Sequence, residues 1–203
     1  MTAKILVVDD HPITQMAIKS VIDSVKDFSV CGILDRSSKV IPFVKTTVPD
    51  VILLDLNLPD SSSLDIIAEL VGAYDFTVII FTGSANSTNI RLCLNLGVRG
   101  IVSKGDKSDD IIYGIRKAMN GEIYLSPDIL KIIGEAGEPK IGLSPRQMAI
   151  LHFMSEGITN KEISYRLKIA APTVSFHIGE IRKKLNVSTN KKILPRATEL
   201  NLI

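Results

Sequence analysis

The chain has 203 residues, of which 45% are hydrophobic and 23% charged, a composition typical of globular proteins with room for one or two domains. No apolar run reaches the roughly 18 residues of a membrane-spanning helix, and no secretory leader opens the chain, so we expect a cytoplasmic protein without a membrane partner. The net charge of +2 divides into −5 over residues 1–139 and +7 over residues 140–203. This asymmetry favours a polyanion such as nucleic acid as a partner of the second part alone.

Strand and helix signals alternate through the first 120 residues. Short apolar runs predict strands near residues 4–8, 28–33, 51–54, 77–81 and 99–103. Amphipathic segments between them predict helices near residues 12–25, 37–47, 64–72, 87–96 and 108–120. Five such units predict an α/β doubly wound domain with a five-stranded parallel sheet over residues 1–123.

The pattern changes after a segment interrupted by glycine and proline. Residues 124–141 are predicted to be a linker, in which Ile129–Ile133 could form a short helix. Only helical signals follow, and Ser144 and Thr159 each begin a sequence typical of a capping box. Helices are expected over about 145–156, 160–168, 171–185 and from 189 onward. Residues 142–203 therefore predict an all-α domain of four helices.

Five polar residues stand at or just beyond the ends of the predicted strands, namely Asp9, Asp10, Asp55, Thr82 and Lys104. Ligands of open parallel sheets bind beyond the carboxyl ends of the strands, so we expect these residues to converge. Three carboxylates suit Mg²⁺, and a carboxylate can act as a nucleophile towards phosphorus. The alternative is that the aspartates and Thr82 cap the following helices and that Lys104 is a surface residue; it suffices for any one of these residues but not for all five at the same sheet edge.

The first 120 or so residues resemble the receiver domains of bacterial two-component response regulators. The matching segments are Val7–His11, Leu53–Pro59, Phe81–Gly83 and Gly97–Lys104. The resemblance implies that Asp55 accepts a phosphoryl group from a sensor histidine kinase, towards which Thr82 then moves. The residues implied to hold Mg²⁺ or the phosphoryl group are Asp9, Asp10, Asp55, Asn57 through its backbone carbonyl, Thr82 and Lys104.

Three positions depart from the receiver pattern. Ile101 stands where the family usually has an aromatic residue that swings inward on activation, so we expect weaker coupling here. Ser63 replaces a usual glycine and predicts another backbone shape after Pro59. Ser84 is small and leaves access to Asp55 open.

Residues 143–203 resemble the helix-turn-helix domain of the NarL/LuxR family. The matching segments are Leu143–Arg146, Glu156–Ile163, Thr173–His177, Lys184–Val187 and Asn201–Ile203. One face of the third helix predicts a core stripe of Val174, Ile178, Ile181 and Leu185. Its other face could lie in the major groove of DNA. The predicted DNA contacts are Lys161, Thr173, Ser175, Phe176, His177, Gly179, Arg182 and Lys183.

The base-reading positions of that family fall on Ser175, Phe176 and Gly179, of which Phe176 could alternatively be a partly buried core residue. Ala170 stands where a serine helix cap is usual, and Pro195 lies inside the last predicted helix, where it should remove a hydrogen bond and kink the helix. The homodimer contact expected from that helix could therefore differ.

Together these features predict a non-enzymatic, DNA-binding response regulator that is phosphorylated on Asp55. We further expect the acidic receiver domain to mask the basic reading helix until phosphorylation. Three alternatives remain: a regulator of the same fold that needs no phosphorylation, a phosphoaspartate hydrolase with a helical accessory domain, and a protein-interaction module. Asn57 stands where such a hydrolase has a second acidic residue, which argues against the hydrolase.

Overall fold

The computed structural model describes residues 2–60, 63–83, 87–134, 142–200 and 202–203. One parallel sheet dominates the first part, with strands β1 (Ala3–Val8), β2 (Phe28–Leu34), β3 (Val51–Leu54), β4 (Thr77–Thr82), β5 (Gly100–Ser103) and β6 (Tyr124–Leu125). Its order is β2-β1-β3-β4-β5-β6, with every pair parallel. The doubly wound arrangement is confirmed, whereas the predicted count of five strands is wrong because β6 adds a sixth.

Helices cover both faces of this sheet: α1 (Pro12–Asp23), α2 (Val40–Thr46, after a 3₁₀ turn at Ser37–Lys39), α3 (Ser63–Ala73), α4 (Ser87–Leu96) and α5 (Ser108–Met119). Side chains alternate along a strand, so each strand supplies two cores. Ile5 and Val7 pack with α1 and α5 on one face. Leu6 and Val8 pack with α2, α3 and α4 on the other. The continuous apolar runs seen in the sequence are thus strands buried on both faces.

The predicted linker begins with regular structure. Residues Tyr124–Leu125 form β6 beside β5, and α6 (Pro127–Gly134) follows directly. The Ser126 amide donates to the Ile101 carbonyl at 3.0 Å, which ties this segment to the sheet. The rest of the predicted linker, residues 135–141, lies outside the described residues. The domain boundaries themselves stay a prediction.

The second part consists of α7 (Pro145–Ser155), α8 (Asn160–Arg166), α9 (Ala171–Lys184) and α10 (Ile193–Glu199). Both capping boxes form as predicted. The hydroxyls of Ser144 and Thr159 accept the amides of Gln147 and Glu162 at 3.2 and 3.3 Å. These four helices, within the described residues 142–200, confirm the predicted all-α domain, and their buried residues join the apolar cluster that also contains α3 and α4.

Two predicted local features of this domain have different outcomes. Ala170 occupies the N-cap position of α9 with no side-chain bond, as its chemistry requires. Pro195, however, is the third residue of α10, because a 3₁₀ turn at Asn190–Lys192 delays the helix. The amides of the first helical turn have no partner within the helix, so proline removes no bond there. The predicted kink at Pro195 is therefore wrong.

The two parts pack against each other through α3 and α4 on one side and α7 on the other. The His152 Nε2 atom lies 2.7 Å from the Asp65 Oδ1 atom of α3. Reading helix α9 packs on α7 and α8 instead, and Phe176 on its outer side is 64% exposed. The expected masking of the reading helix is therefore not observed. No helix within the described ranges is long and apolar enough to cross a membrane.

Candidate functional site

The residues predicted to converge do meet at the carboxyl edge of the sheet. Asp9 follows β1 and Asp55 follows β3, and the Asp55 amide donates to the Val8 carbonyl at 2.9 Å, which aligns the two strand ends. Asp9, Asp55 and Thr82 are each no more than 2% exposed. Carboxylates are buried in this way only when their charge is balanced by neighbouring groups.

Lys104 supplies part of that balance. Its Nζ atom lies 2.6 Å from the Asp55 Oδ2 atom and 2.7 Å from the Asp9 Oδ2 atom. Burial alone would lower the pKa of Lys104, but its hydrogen bonds to Asp55 and Asp9 outweigh burial and raise the pKa. The lysine is therefore charged at neutral pH and bridges the two carboxylates. The alternative in which Lys104 is a detached surface residue does not fit this geometry.

The two oxygens of Asp55 have different partners. The Oδ1 atom accepts the Asn57 amide at 3.1 Å, whereas Oδ2 faces Lys104. The backbone carbonyl of Asp55 accepts the hydroxyl of Ser63 at 3.0 Å. Asn57 and Ser63 thus both donate back to Asp55, the first to its carboxylate and the second to its main-chain carbonyl.

Four residues at this edge could hold a metal ion. One ligand atom each from Asp9, Asp10, His11 and Asp55 lies within 4.8 Å of the others. The Asp9 Oδ2 and Asp10 Oδ1 atoms are buried, and the Lys104 Nζ and His11 Nδ1 atoms lie 2.7 and 2.8 Å from them. Buried carboxylate oxygens gathered this closely fit a hard divalent cation.

His11 was absent from the predicted site. Its side chain is 62% exposed, and its Nδ1 atom lies 2.8 Å from Asp10 and 3.3 Å from Asp9. The backbone amide of His11 also donates to Asp9 at 2.9 Å. Its place directly after the aspartate pair was the available signal, but an imidazole is not a typical ligand of Mg²⁺.

The remaining receiver positions occupy the neighbouring strands. Thr82 ends β4 and pairs with Ser103 of β5, so its side chain reaches the same edge as Lys104. Ile101 is fully buried in β5. The predicted effect of Ser84 on access to Asp55 lies outside the described residues.

The predicted DNA-contacting residues lie on or beside α9. The stripe of Val174, Ile178 and Ile181 is buried as predicted, and the opposite face is open. Phe176 is 64% exposed, so the alternative of a core aromatic does not fit. Gly179 lies one turn after Phe176, and a Cβ atom there would meet no heavy atom within 4 Å. The helix surface beside Phe176 is therefore open at this position.

Polar and charged side chains flank that open face. The Ser175 hydroxyl donates to the Ala171 carbonyl at 3.3 Å and retains acceptor capacity. Lys183 is exposed and pairs with Glu180 at 2.7 Å. Burial, and secondarily the charge of Arg146, lowers the pKa of His177, so this imidazole is neutral at pH 7. Among the other predicted contacts, Lys161 is exposed, whereas Thr173 and Arg182 are half-buried.

Tyr165 was also absent from the predicted set. It is 82% exposed on α8 and lines a shallow surface pocket with Thr159, Lys161, Glu162 and Arg166. Its exposure depends on which face of α8 packs on α9. A seven-residue helix is too short for its apolar pattern to define that face.

A doubly wound sheet with a carboxylate and lysine cluster at its carboxyl edge, joined to a helix-turn-helix, defines a DNA-binding response regulator. Residues 5–116 match the response regulator receiver domain, and residues 142–194 match the bacterial regulatory proteins of the luxR family. The chain therefore belongs to the response regulators that combine these two domains.

Individual relatives match at least 91% of the chain. The nitrate/nitrite response regulator protein homolog of Haemophilus influenzae is 31% identical over 188 residues, covering 91% of this chain and 90% of the relative. RcsB from Salmonella enterica serovar Typhimurium, bound to promoter P1flhDC with the phosphomimetic BeF3-, has TM-score 0.59 and 22% identity, covering 98% and 100%. A structure of two RcsB dimers bound to two parallel DNAs has TM-score 0.62 and 20% identity, covering 98% and 100%. These two structural likenesses show the fold alone.

Proposed function

We propose that the protein accepts a phosphoryl group on Asp55 from a sensor histidine kinase and regulates transcription by binding specific double-stranded DNA through α9. The observation that carries the proposal is the buried Asp55 carboxylate, held by the Asn57 amide and the Lys104 ammonium. Both partners would meet the protein in the cytoplasm.

In the transfer, a carboxylate oxygen of Asp55 would form a bond to phosphorus while the bond from phosphorus to the imidazole nitrogen of the kinase breaks. Lys104 already lies 2.6 Å from Asp55, so its charge would remain beside the oxygens of the transferred group. Thr82, at the end of the adjacent strand, would donate its hydroxyl to one of them. Positioning and charge stabilisation supply most catalysis of phosphoryl transfer.

The acidic edge of the sheet would hold Mg²⁺ through Asp9, Asp10, Asp55 and the backbone carbonyl of Asn57. Support comes from the carboxylate oxygens of Asp9, Asp10 and Asp55, which lie within 4.8 Å of one another, and from the burial of the Asp9 and Asp10 oxygens. Bound Mg²⁺ would supply positive charge that offsets the negative charge of the phosphoryl oxygens. The residues of the chain orient the nucleophile and exclude bulk water.

We propose that the exposed face of α9 enters the major groove. Phe176 would contact a thymine methyl group, Ser175 could serve either type of base, and Gly179 leaves room for close approach. Basic and polar residues would fix the orientation through phosphates. The proposed phosphate contacts are Lys161, Thr173, His177, Arg182 and Lys183. A homodimer would place two such helices on neighbouring half-sites.

The phosphoacceptor is tested by incubating the full-length protein with acetyl phosphate and Mg²⁺, followed by intact mass measurement. We expect one added phosphoryl group in the wild type and in Asp109→Asn, an exposed control with the same charge change. Asp55→Asn should gain none. Labelling that persists in Asp55→Asn would refute the assignment.

One observation favours a second candidate, a regulator of the same fold that acts without phosphorylation. Ile101 cannot supply the inward motion of an aromatic ring, and it is already fully buried. Equal DNA affinity before and after phosphorylation, with the mass gain verified, would support this candidate.

A further inference from the structure

The junction of β3 and α3 contains one hydrogen bond that a glycine could not make. Ser63, the first residue of α3, is 2% exposed and donates its hydroxyl to the Asp55 carbonyl at 3.0 Å. The first turn of α3 is thereby tied to the backbone of the proposed phosphoacceptor. A displacement of the Asp55 main chain would act directly on this helix.

A second residue in the first turn of α3 contacts the DNA-binding domain. Asp65, two residues after Ser63, places its Oδ1 atom 2.7 Å from the His152 Nε2 atom of α7. The His152 side chain is only 5% exposed, whereas the Asp65 side chain is 28% exposed, so the contact is buried on the side of α7 and partly open on the side of α3. Separating this contact in place is costly because the buried His152 imidazole would lose its partner.

The residue that follows the other end of α3 contacts the turn between α8 and α9. The Lys168 Nζ atom lies 3.6 Å from the ring centre of Tyr74, which directly follows the helix. Lys168 has a φ of +52°, in the left-handed region that favours glycine. Burial raises the pKa of Glu69 in α3, and the positive charges of Arg166, Lys45 and Lys168 oppose that rise. Arg166 and Lys168 of the DNA-binding domain therefore lie close enough to α3 to interact with Glu69.

We infer that α3 carries the state of Asp55 to the DNA-binding domain, with Ser63 as the coupling residue at one end and the contacts Asp65–His152 and Tyr74–Lys168 as the anchors. This inference rests on the proposed phosphorylation. In this coupling the change at Asp55 reaches α7 through α3, without a movement of the buried Ile101. Since Phe176 is exposed in the docked arrangement, the anchors set the orientation of α9 relative to the receiver instead of covering it.

A second contact between the domains offers a competing route. Pro145 of α7 lies against Gly97, where a Cβ atom would come within 3.0 Å of the proline Cβ. Gly97 directly follows α4, so this contact would couple the domains through α4 and not through α3. A coupling claim needs evidence that both sites bias the same element, so the test must separate α3 from α4.

The chain has three histidines, so the imidazole resonances can be assigned by single substitutions and followed by NMR in the full-length protein. With phosphorylation verified by intact mass, we expect the His152 resonance to shift and the His177 resonance to stay. In Ser63→Ala the His152 response should be smaller at equal phosphorylation. Ser108→Ala, an exposed serine at the first position of α5, is the matched control and should respond as the wild type does.

An unmoved His152 resonance in phosphorylated wild type, or an unchanged response in Ser63→Ala, would overturn the inference. If no mass gain occurs, the proposed function fails, and coupling through α3 is then tested by comparing the unphosphorylated proteins. In that case Ser63→Ala should itself shift the His152 resonance relative to the wild type while Ser108→Ala does not. An identical His152 resonance in both variants would then exclude coupling through α3.

Discussion

The charge balance around Lys104 gives the most quantitative prediction. Replacing Lys104 with methionine keeps a long apolar stem and removes the ammonium that lies 2.6 and 2.7 Å from two buried carboxylates. At 2.6 Å and an effective dielectric constant of ~20, one such contact contributes about 6 kcal/mol before desolvation is subtracted. Removing one partner of a buried ion pair has a net cost of about 3–5 kcal/mol. We expect the lower part of this range, because the Lys104 side chain is 18% exposed and water can reach the vacated space.

Divalent cations should offset this loss. Without the ammonium, the carboxylates of Asp9, Asp10 and Asp55 attract a cation more strongly, and we expect Mg²⁺ to bind on the order of tenfold more tightly, or about 1.4 kcal/mol. Mg²⁺ at a hundred times its dissociation constant stabilises the folded state by about 2.7 kcal/mol. The variant should therefore gain more stability from Mg²⁺ than the wild type does at the same concentration.

Urea unfolding with and without Mg²⁺ measures both effects. Lys26→Met, an exposed lysine with the same charge change, is the control and should leave stability and the Mg²⁺ response almost unchanged. If Lys104→Met costs no more than this control, or if Mg²⁺ stabilises it no more than the wild type, the account of the carboxylate cluster is wrong.

Three further substitutions test the fold and the DNA-binding face. Gly97→Ala should destabilise the protein by more than about 1 kcal/mol, because φ is +101° and the new Cβ would lie 2.8 Å from Val71, whereas Gly142→Ala has open space and should be neutral in the same urea titration. Ala170→Ser should raise the free energy of unfolding by about 0.5–2 kcal/mol, because the N-cap backbone of α9 is already extended and lacks only the hydroxyl. No gain in the urea titration would mean that the serine does not cap α9. Arg182→Ala and Lys183→Ala should each weaken binding to all DNA sequences alike and reduce the slope of log affinity against log salt concentration by about 1. A loss that depends on the DNA sequence would assign these residues to base reading instead.

The sequence was sufficient for the parts of the fold that follow from continuous patterns. Runs such as Val51–Leu54 predict buried strands, and residues at the carboxyl ends of parallel strands meet whatever their separation in the chain. The convergence of Asp9, Asp55 and Lys104 could therefore be predicted. The two capping boxes at Ser144 and Thr159 were equally readable because their chemistry is local.

The features that escaped prediction depend on tertiary context. Strand β6 has two residues, Tyr124–Leu125, too few for any periodic signal, and it exists because the edge of β5 is available. The kink expected at Pro195 failed because a 3₁₀ turn moved the helix start by a few residues. Neither Asp65 nor His152 belongs to a motif, so their contact became visible only when α3 met α7.

The expected masking of α9 failed for a related reason. Opposite net charges favour association of the two domains, but charge does not determine which faces meet. Apolar and polar complementarity between α3, α4 and α7 determines the docked face, and it leaves Phe176 exposed. The sequence predicted an association and not its geometry.

The central claim is that the state of Asp55 controls DNA binding by α9. A mobility-shift assay of full-length wild type and Asp55→Asn against genomic fragments, with and without acetyl phosphate, tests it most directly. The account predicts that both proteins bind the same fragments in a salt-sensitive way, and that acetyl phosphate strengthens binding of the wild type only. Absence of binding at low salt, or an equal effect of acetyl phosphate on Asp55→Asn, would contradict it.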